Sequence, residues 1–511
     1  MSADALIARY EREKSRALGN AGRRGAGLYY TPGEIADQVL AAALSQAGVR
    51  RTARVLDPCA GAGAFLVAAA RAGLCDLHGF DLDPGALKVA RRALALCGAR
   101  AELRRADALR FTPRTPADLA ISNPPYGHVA LQRERRFLAR AFPALRGAEI
   151  DRYAAFLLRA LQLVRPGGVA ALLVPDTWMY LSRAGPLRAE VLAQAEVAAI
   201  VDLGKPFASA KDTRVQAVVL VRRPAAARAT KVSRLGIPLA DAPREELVRT
   251  ARAGWAVYRS GEERALCAAM EAVSVRLADA CTVLYGMRTG NNAVHVARRE
   301  PLAAEVGLVG GEDVVPYALR WRPKTLLQPL PLLPLVRRQQ GSARIAVQRI
   351  RTNAQVPWAR WLEAAPVPPG RVCLDSLSTL SCDGETRLWA LLALLQSVAL
   401  QRYHRLRTTD VNVKPGALRE LPVPRALLES PDALAALSRE RSRVDELPQA
   451  ELHALDRRID ACVYGLFGLS APLVRAAEEG FWAERFPEEM RMLERWMSDP
   501  SGKLARMEET A

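Results

Sequence analysis

The sequence predicts an α/β protein: a doubly wound sheet, then an α+β domain, then a C-terminal helical region. Three observations predict it. Short apolar runs alternate with amphipathic helical stretches as far as Val221. Four of those runs deliver a polar residue to the strand end: Asp57, Asp81, Asp107 and Asn123. The composition then shifts at Arg222-Arg223-Pro224-Ala225-Ala226-Ala227, and polar glycine-rich turns followed by amphipathic helices take over. Alternation of strand and helix is the signature of a parallel sheet, which binds ligands beyond the carboxyl ends of its strands.

The 511 residues exceed one ordinary core, so several domains are expected. The expected division is an arm over 1–25, a sheet domain over 26–223 and a linker over 224–270. A third domain covers 271–425 and a helical region 426–511. A net charge of +19 favours a polyanion, with nucleic acid ahead of an anionic membrane. Arginine is spread widely, and a bias toward Arg and Ala would give the same excess, so charge alone locates no site. No apolar run has the length of a membrane span or a signal peptide, and a cytoplasmic location is expected. The eight cysteines are scattered without a C-x-x-C pair and the five histidines are dispersed. That pattern fits reduced thiols and implies no metal centre.

In chain order, a charged helical pattern and an Arg/Gly-rich stretch lead to Gly27-Leu28-Tyr29-Tyr30-Thr31-Pro32. Thr31 is suited to cap the following helix and Pro32 to its first turn. A strand at Arg54–Asp57 then enters Pro58-Cys59-Ala60-Gly61-Ala62-Gly63, a tight loop opening a helix. Its glycines permit close backbone approach to a ligand. The loop is neither G-x-G-x-x-G nor a phosphate-binding P-loop, which weakens nicotinamide and ATP readings. The strand Leu77–Phe80 ends at Asp81, placed like a ribose-hydroxyl acceptor, and Asp83 is placed to cap the helix from Pro84. The strand Ala101–Arg104 leads to Asp107, a candidate acceptor for an adenine amine.

The next strand, Asp118–Ser122, exits through Asn123-Pro124-Pro125-Tyr126. Two prolines force an extended, rigid exit. By itself such a stretch reads as a rigid turn. Beside three acidic strand ends it offers an amide oxygen and a flat ring to a planar group bearing an NH₂. A basic stretch to Arg146, a helix at Tyr153–Leu163 and a strand at Val169–Val174 follow. Strands at Ala198–Leu203 and Val215–Val221 are expected to pair like a hairpin around Phe207.

In the second half, Tyr285–Asn292 reads as a polar turn, 328–336 as a packed extended segment and Arg344–Arg351 as an edge strand. Trp389–Tyr403 reads as an apolar helix, and three amphipathic helices follow from Pro431. Arg288, Arg320, Arg322, Arg349, Arg351, Arg405, Arg407 and Lys414 are candidates for phosphate or base contacts, each also readable as an ordinary surface charge.

The ordered set from Gly27 to Tyr126 resembles class I S-adenosylmethionine (SAM) methyltransferases with a Rossmann-like sheet. More closely it resembles the gamma-type, TaqI-like N6-adenine DNA methyltransferases, in which a DNA target-recognition domain follows. The resemblance implies that Thr31 and the Gly61/Gly63 loop hold the methionine end of S-adenosyl-L-methionine, with Asp57 near its amino group and Tyr30, Pro58 and Asn123 also in the cofactor site. Asp81 would accept from the ribose, and Asp107 and Ala108 would flank the adenine. Asn123, Pro124, Pro125 and Tyr126 would act on a flipped adenine of double-stranded DNA, with Phe207 against the base. The Asn side-chain oxygen and the Pro124 carbonyl would accept the N6 hydrogens, and the Tyr ring would stack.

A restriction-modification or related defence role is implied, with a separate restriction endonuclease or defence subunit as a candidate partner. The short stretch ahead of the sheet domain argues against a fused nuclease. Cytosine-C5 chemistry needs a Cys nucleophile, and Cys59 sits at the wrong strand for it. The alternatives are RNA or protein-glutamine methylation, against which the large second half speaks, and a non-catalytic DNA-recognition subunit.

Overall fold

A computed structural model describes residues 2–485, apart from 27–30, 46–49, 148–150, 208–213, 223–228, 303–304, 328–340, 350–360, 408–411 and the single positions 235, 253, 256, 258 and 291. The chain divides into two compact units, Met1–Tyr258 and Arg259–Ala511. That division falls inside the stretch expected as a linker.

In the first unit, the strands β1 (Arg54–Asp57), β2 (Asp76–Asp81), β3 (Glu102–Arg105), β4 (Ala117–Ser122) and β5 (Val164–Pro175) pair in parallel. They join β6 (Glu196–Asp202), β7 (Val215–Val221), β8 (Lys231–Arg234) and β9 (Ile237–Pro238) in one nine-stranded sheet ordered β3-β2-β1-β4-β5-β7-β6-β8-β9. The order reverses between β1 and β4, which neighbour each other in parallel, Val55 opposite Leu119. This is the switch point at which doubly wound sheets leave a crevice. As expected, β6 and β7 pair antiparallel, and β7 lies against β5. Near-continuous burial of β4, β5 and β7 explains their unbroken apolar sequences.

Helices α1 (Ala3–Ala26), α2 (Gly33–Leu44), α3 (Ala64–Arg71), α4 (Pro84–Leu96), α5 (Gln132–Ala141) and α6 (Arg152–Leu163) flank the sheet. Helix α1 corrects an expectation, because residues 1–25 do not form a separate arm. Ala3, Leu6 and Ile7 are buried in the same core as the sheet. Arg71 of α3 bonds Asp4 at 2.7 Å and Asp37 of α2 at 3.0 Å, tying three helices together. The apolar spacing of Ala3, Leu6, Ile7 and Tyr10, one helical face, was the signal for this packing. Asp83 caps α4 as expected, accepting from the Gly85 N–H at 2.8 Å.

In the second unit, strands Thr282–Tyr285, Leu377–Ser381, Arg344–Gln348 and Ala364–Val367 form an antiparallel sheet in that order. Arg344–Gln348 is therefore an interior strand, not an edge. The Arg344 guanidinium is buried and satisfied by the carbonyls of Arg371 (3.1 Å) and Ser342. Burial of a charge is tolerable when its donors find acceptors. The apolar run expected as one helix breaks at Ser397 into Glu385–Gln396 and Val398–Arg407. Helices Asp432–Arg441, Gln449–Phe467 and Ala471–Arg485 complete the unit and share its core. The segment 328–336, Arg351 and Tyr30 lie outside the described residues. All eight cysteines are free. Among the described residues, no helix is long and apolar enough to cross a membrane, and no metal-ligating cluster occurs.

Candidate active site

Strand β1 ends on Asp57, which is 1 % exposed. Its Oδ1 accepts from the Ser122 hydroxyl at 2.8 Å and from the Cys59 N–H at 3.0 Å. Burial pushes the Asp57 carboxyl up to about 7, while those two hydrogen bonds oppose the rise and the Asp81 charge adds to it. The ends of β1 and β4, the two strands of the switch point, are thus braced through a carboxylate poised near neutrality.

The glycine loop is held from the next strand. Asp81, at the end of β2, accepts from the Gly61 N–H and the Asp83 N–H, both at 2.8 Å. Each carboxylate oxygen keeps a further lone pair for a ligand donor. Gly63 serves a different purpose from the one expected. It starts α3 with φ +95°, and a Cβ there would lie 2.9 Å from Ala90 Cβ of α4. Only glycine combines that conformation with so close an approach.

Beyond β3, the Asp107 carboxylate accepts from the Leu109 N–H at 3.0 Å. The segment is clamped from α6 by Arg159, which donates to the carbonyls of Ala108 and Phe111 and to the Thr112 hydroxyl, each at 2.8 Å. The signal for it in the sequence is a lone arginine inside the apolar pattern of 153–163.

At the end of β4, Asn123 Nδ2 donates to Thr31 Oγ1 at 3.0 Å. Thr31 was expected to cap α2, but Pro32 occupies that position and the cap lacks a side-chain bond. The carbonyl of Pro32 takes the Ile35 and Ala36 N–H groups, both at 3.0 Å, leaving the threonine hydroxyl for the asparagine. After Tyr126, the Gly127 N–H donates to Asp151 at 3.0 Å and its carbonyl accepts from the Arg152 N–H at 3.2 Å. Arg152 in turn grips Glu134 of α5 through two bonds of 3.1 and 3.2 Å.

Tyr126 and Phe207 are both buried, with ring centroids 6.4 Å apart and planes tilted by 50°. Tyr153 meets Tyr126 edge-on, also at 6.4 Å. A base held between two parallel faces needs roughly 7 Å, twice a van der Waals contact. Here the two rings touch each other, so an entering base must part them.

These strand ends surround a cavity of about 580 Å³, within the usual range for small-ligand sites. Asp57, Pro58, Gly61, Asp81, Asp107 and Ala108 lie on its wall, together with Thr31, Asn123 and Pro125. Pro124, Tyr126, Phe207 and Gly63 do not. The wall also includes residues absent from the sequence-based expectation: Ile7, Glu11 and Lys14 of α1, Phe156 of α6, and the Glu134–Arg152 pair. A more open depression of about 690 Å³ in the second unit, along Cys281, Thr282, Cys382 and Asp383, gathers none of the expected site residues.

The donor and acceptor chemistry of the cavity suits an adenosine linked to a cationic amino acid. An ammonium beside Asp57 would favour its ionised form, a ribose diol matches Asp81, and an exocyclic amine matches Asp107. The residues present therefore fit S-adenosyl-L-methionine.

Comparison with known proteins gives the same direction. Residues 4–237 match the family described as N-6 DNA Methylase. The Type II methyltransferase M.VspI of Vibrio sp. (strain 343) is 28 % identical over 187 residues, covering 35 % of this chain and 44 % of the relative. The Type II methyltransferase M.TthHB8I of Thermus thermophilus is 31 % identical over 177 residues, covering 33 % of this chain and 39 % of the relative. The chain thus spans less than half the length of either relative. Among solved structures, the Type IIL restriction-modification enzyme MmeI in complex with DNA aligns with TM-score 0.58 at 13 % identity, over 90 % of this chain and 75 % of that one. A DrdV–DNA complex aligns with TM-score 0.52 at 14 % identity, over 86 % and 59 %. These two likenesses show a shared fold that extends into the second unit.

Proposed function

We propose, from the match of residues 4–237 to the N-6 DNA Methylase family, that the protein methylates N6 of an adenine flipped out of duplex DNA. The order of the sites supports the gamma type: glycine loop first, Asn-Pro-Pro-Tyr later, and a further large unit after both. One observation carries the proposal. The Asn123 amide is oriented by Thr31 on the wall of a cavity whose other strand ends are Asp57, Asp81 and Asp107.

S-adenosyl-L-methionine, when bound, supplies an electrophilic methyl group on a sulfonium. Asp57 would hold its ammonium, Asp81 its ribose, and Asp107 with the Ala108 backbone its adenine. The protein's task on the other side is to make a poor nucleophile react. The lone pair of an adenine amine is delocalised into the ring. The Asn123 Oδ1 and the Pro124 carbonyl accept the two N6 hydrogens, which favours a pyramidal nitrogen with a localised lone pair. They also stabilise the positive charge that builds on nitrogen. Asn is no general base at neutral pH, so the proton leaves afterwards to solvent. Tyr126 offers a face to the extruded base, once the ring contact with Phe207 opens.

The second unit serves as target-recognition domain in this scheme. Arg344 is excluded as a DNA contact by its burial, and Arg407 is engaged by Glu271 at 3.7 Å. Arg405 stacks over Trp361 at 4.5 Å. Arg288 bonds Asp375 at 3.3 Å yet is 81 % exposed, so most of its guanidinium surface stays open to a phosphate. The named relatives are Type II methyltransferases, so a separate restriction endonuclease of the same specificity, in the cytoplasm, is the partner class implied.

The test is to incubate purified protein with labelled S-adenosylmethionine and duplex DNA, RNA or protein, and to digest the products for mass spectrometry. N6-methyldeoxyadenosine appearing in DNA, and lost in Asn123→Ala, is expected. Label confined to RNA or protein would sink the proposal. Methylation-sensitive sequencing of the same DNA gives the motif.

A further inference from the structure

Six carboxylates face the cavity: Glu11, Asp57, Asp81, Asp83, Asp107 and Glu134. Five have partners. Asp57 takes Ser122 and Cys59, Asp81 takes two backbone N–H groups, and Asp107 takes the Leu109 N–H. Asp83 takes Tyr10 at 2.7 Å, Lys14 and Gly85, and Glu134 takes Arg152. Among the described residues, Glu11 alone of these six makes no hydrogen bond or ion pair.

Its position is not accidental to the packing. Ile7, Glu11 and Lys14 recur at helical spacing and all three line the cavity. Helix α1 is fastened on both sides of Glu11. Asp4 is held by Arg71 at 2.7 Å, and Tyr10 and Lys14 are both held by Asp83. This presents the Glu11 carboxylate over the glycine loop. Its Oε1 lies 3.9 Å from where a Cβ on Gly61 would sit, and the Gly61 N–H is itself bonded to Asp81. Burial raises the Glu11 carboxyl above its ordinary range; Lys14 opposes the rise, and the Asp81 and Asp83 charges add to it. Glu11 therefore lies beside the Gly61 turn that Asp81, at the end of β2, holds by its N–H.

We propose that Glu11 is a second acceptor for the ribose of the bound cofactor, paired with Asp81 across the diol. This rests on the cofactor assignment above. Two neighbouring carboxylates repel each other, and a vicinal diol is the group that relieves both, with one O–H for each. An ammonium would relieve them too, but in the assignment above the cofactor's amino-acid end lies at Asp57, on the adjacent strand. Helix α1 thus closes the cofactor cleft with a ligand-binding side chain of its own.

The experiment is calorimetric binding to the full-length protein of two ligands, S-adenosylhomocysteine and 5′-methylthioadenosine, which lacks the amino-acid end. Glu11→Ala should weaken both by about tenfold and by the same factor, as loss of a hydrogen bond to a charged group does. Glu11→Gln, which keeps an acceptor, should lose less. Alanine is a good helix former and the deleted carboxylate is unpartnered, so the thermal midpoint of the ligand-free variant should hold or rise. Unchanged affinity for both ligands overturns the proposal. So does a loss confined to S-adenosylhomocysteine, which would put Glu11 at the amino-acid end. A lowered ligand-free midpoint accompanying the loss would make Glu11 structural and also overturns it. Wild-type protein that takes up neither ligand overturns the cofactor assignment itself.

Discussion

The side-chain amide of Asn123 is held by the hydroxyl of Thr31, Nδ2 to Oγ1 at 3.0 Å, across 92 residues of chain. The contact ties the exit of β4 to the entry of α2. With Nδ2 turned to Thr31, Oδ1 is directed to the other side, as an acceptor for an adenine amine requires. Thr31→Val keeps the shape and removes the acceptor. Methyl transfer should fall about three- to tenfold, the usual worth of one neutral hydrogen bond, with the loss in kcat and little change in S-adenosylhomocysteine affinity. Thr31→Ser should restore the rate. Equal rates for wild type and Thr31→Val would show that the amide needs no such restraint.

Arg159 braces the 108–112 segment and does not line the cavity itself. Its guanidinium, 8 % exposed in the folded chain, holds the Ala108 and Phe111 carbonyls and the Thr112 hydroxyl. Arg159→Met fills much of the volume but leaves those acceptors unsatisfied, at a cost of about 1–3 kcal/mol for a buried group. Denaturant titration should show that loss. The adenine end of the cofactor site should loosen with it, so 5′-methylthioadenosine binding should weaken while Asn123-dependent chemistry at saturating cofactor is largely retained.

Much of this was legible in the sequence, and the parts that were not share a cause. Strand ends announce themselves because an apolar run must stop where a polar residue appears, and so Asp57, Asp81, Asp107 and Asn123 were placed correctly on adjacent strands. The capping of α4 by Asp83 was equally local. What failed was long-range. Thr31 looked like a cap because Thr-Pro before a helix usually is one; its use by Asn123 depends on a residue 92 positions away. The first helix looked like a charged arm because its outer face is charged, as in the Arg9–Glu13 pair. Its inner face matters only once α3 and α4 are beneath it. Arg344 looked like an edge residue because alternation of apolar and basic residues cannot reveal that backbone carbonyls will solvate a buried guanidinium.

The Asp57 carboxyl titrates near 7 in the folded protein, against roughly 3.9 in an unfolded chain. Between those values the folded state binds the extra proton. Its contribution to stability is therefore fully present below about pH 4, falls as pH rises, and is lost above about pH 7. Asp57→Asn should abolish that slope in urea titrations run from pH 5 to pH 8. The same proton should appear in ligand binding. An ammonium beside Asp57 requires the carboxylate, so S-adenosylhomocysteine should bind more weakly at pH 6 than at pH 8. Binding at pH 6 should release a proton, seen as a dependence of the calorimetric heat on the ionisation enthalpy of the buffer. Heat independent of buffer at pH 6 would place the ammonium elsewhere.

The contact between Tyr126 and Phe207 makes a last prediction about order of events. At 6.4 Å and 50° the rings pack on each other, and neither lies on the cavity wall. Entry of a base must exchange this ring–ring contact for ring–base stacking, worth about 1–3 kcal/mol per base. Tyr126→Ala removes the stacking face, so methyl transfer should drop by roughly ten- to a hundredfold, matching that energy. Phe207→Ala removes the contact that has to open, so its effect should be smaller and should fall mainly on DNA binding. With 2-aminopurine in place of the target adenine, wild-type protein should give a limited fluorescence rise, because the extruded base is restacked on Tyr126. Tyr126→Ala should give a larger rise from the same DNA, since the base leaves the duplex and finds no ring. No difference between the two proteins would mean that Tyr126 does not receive the base.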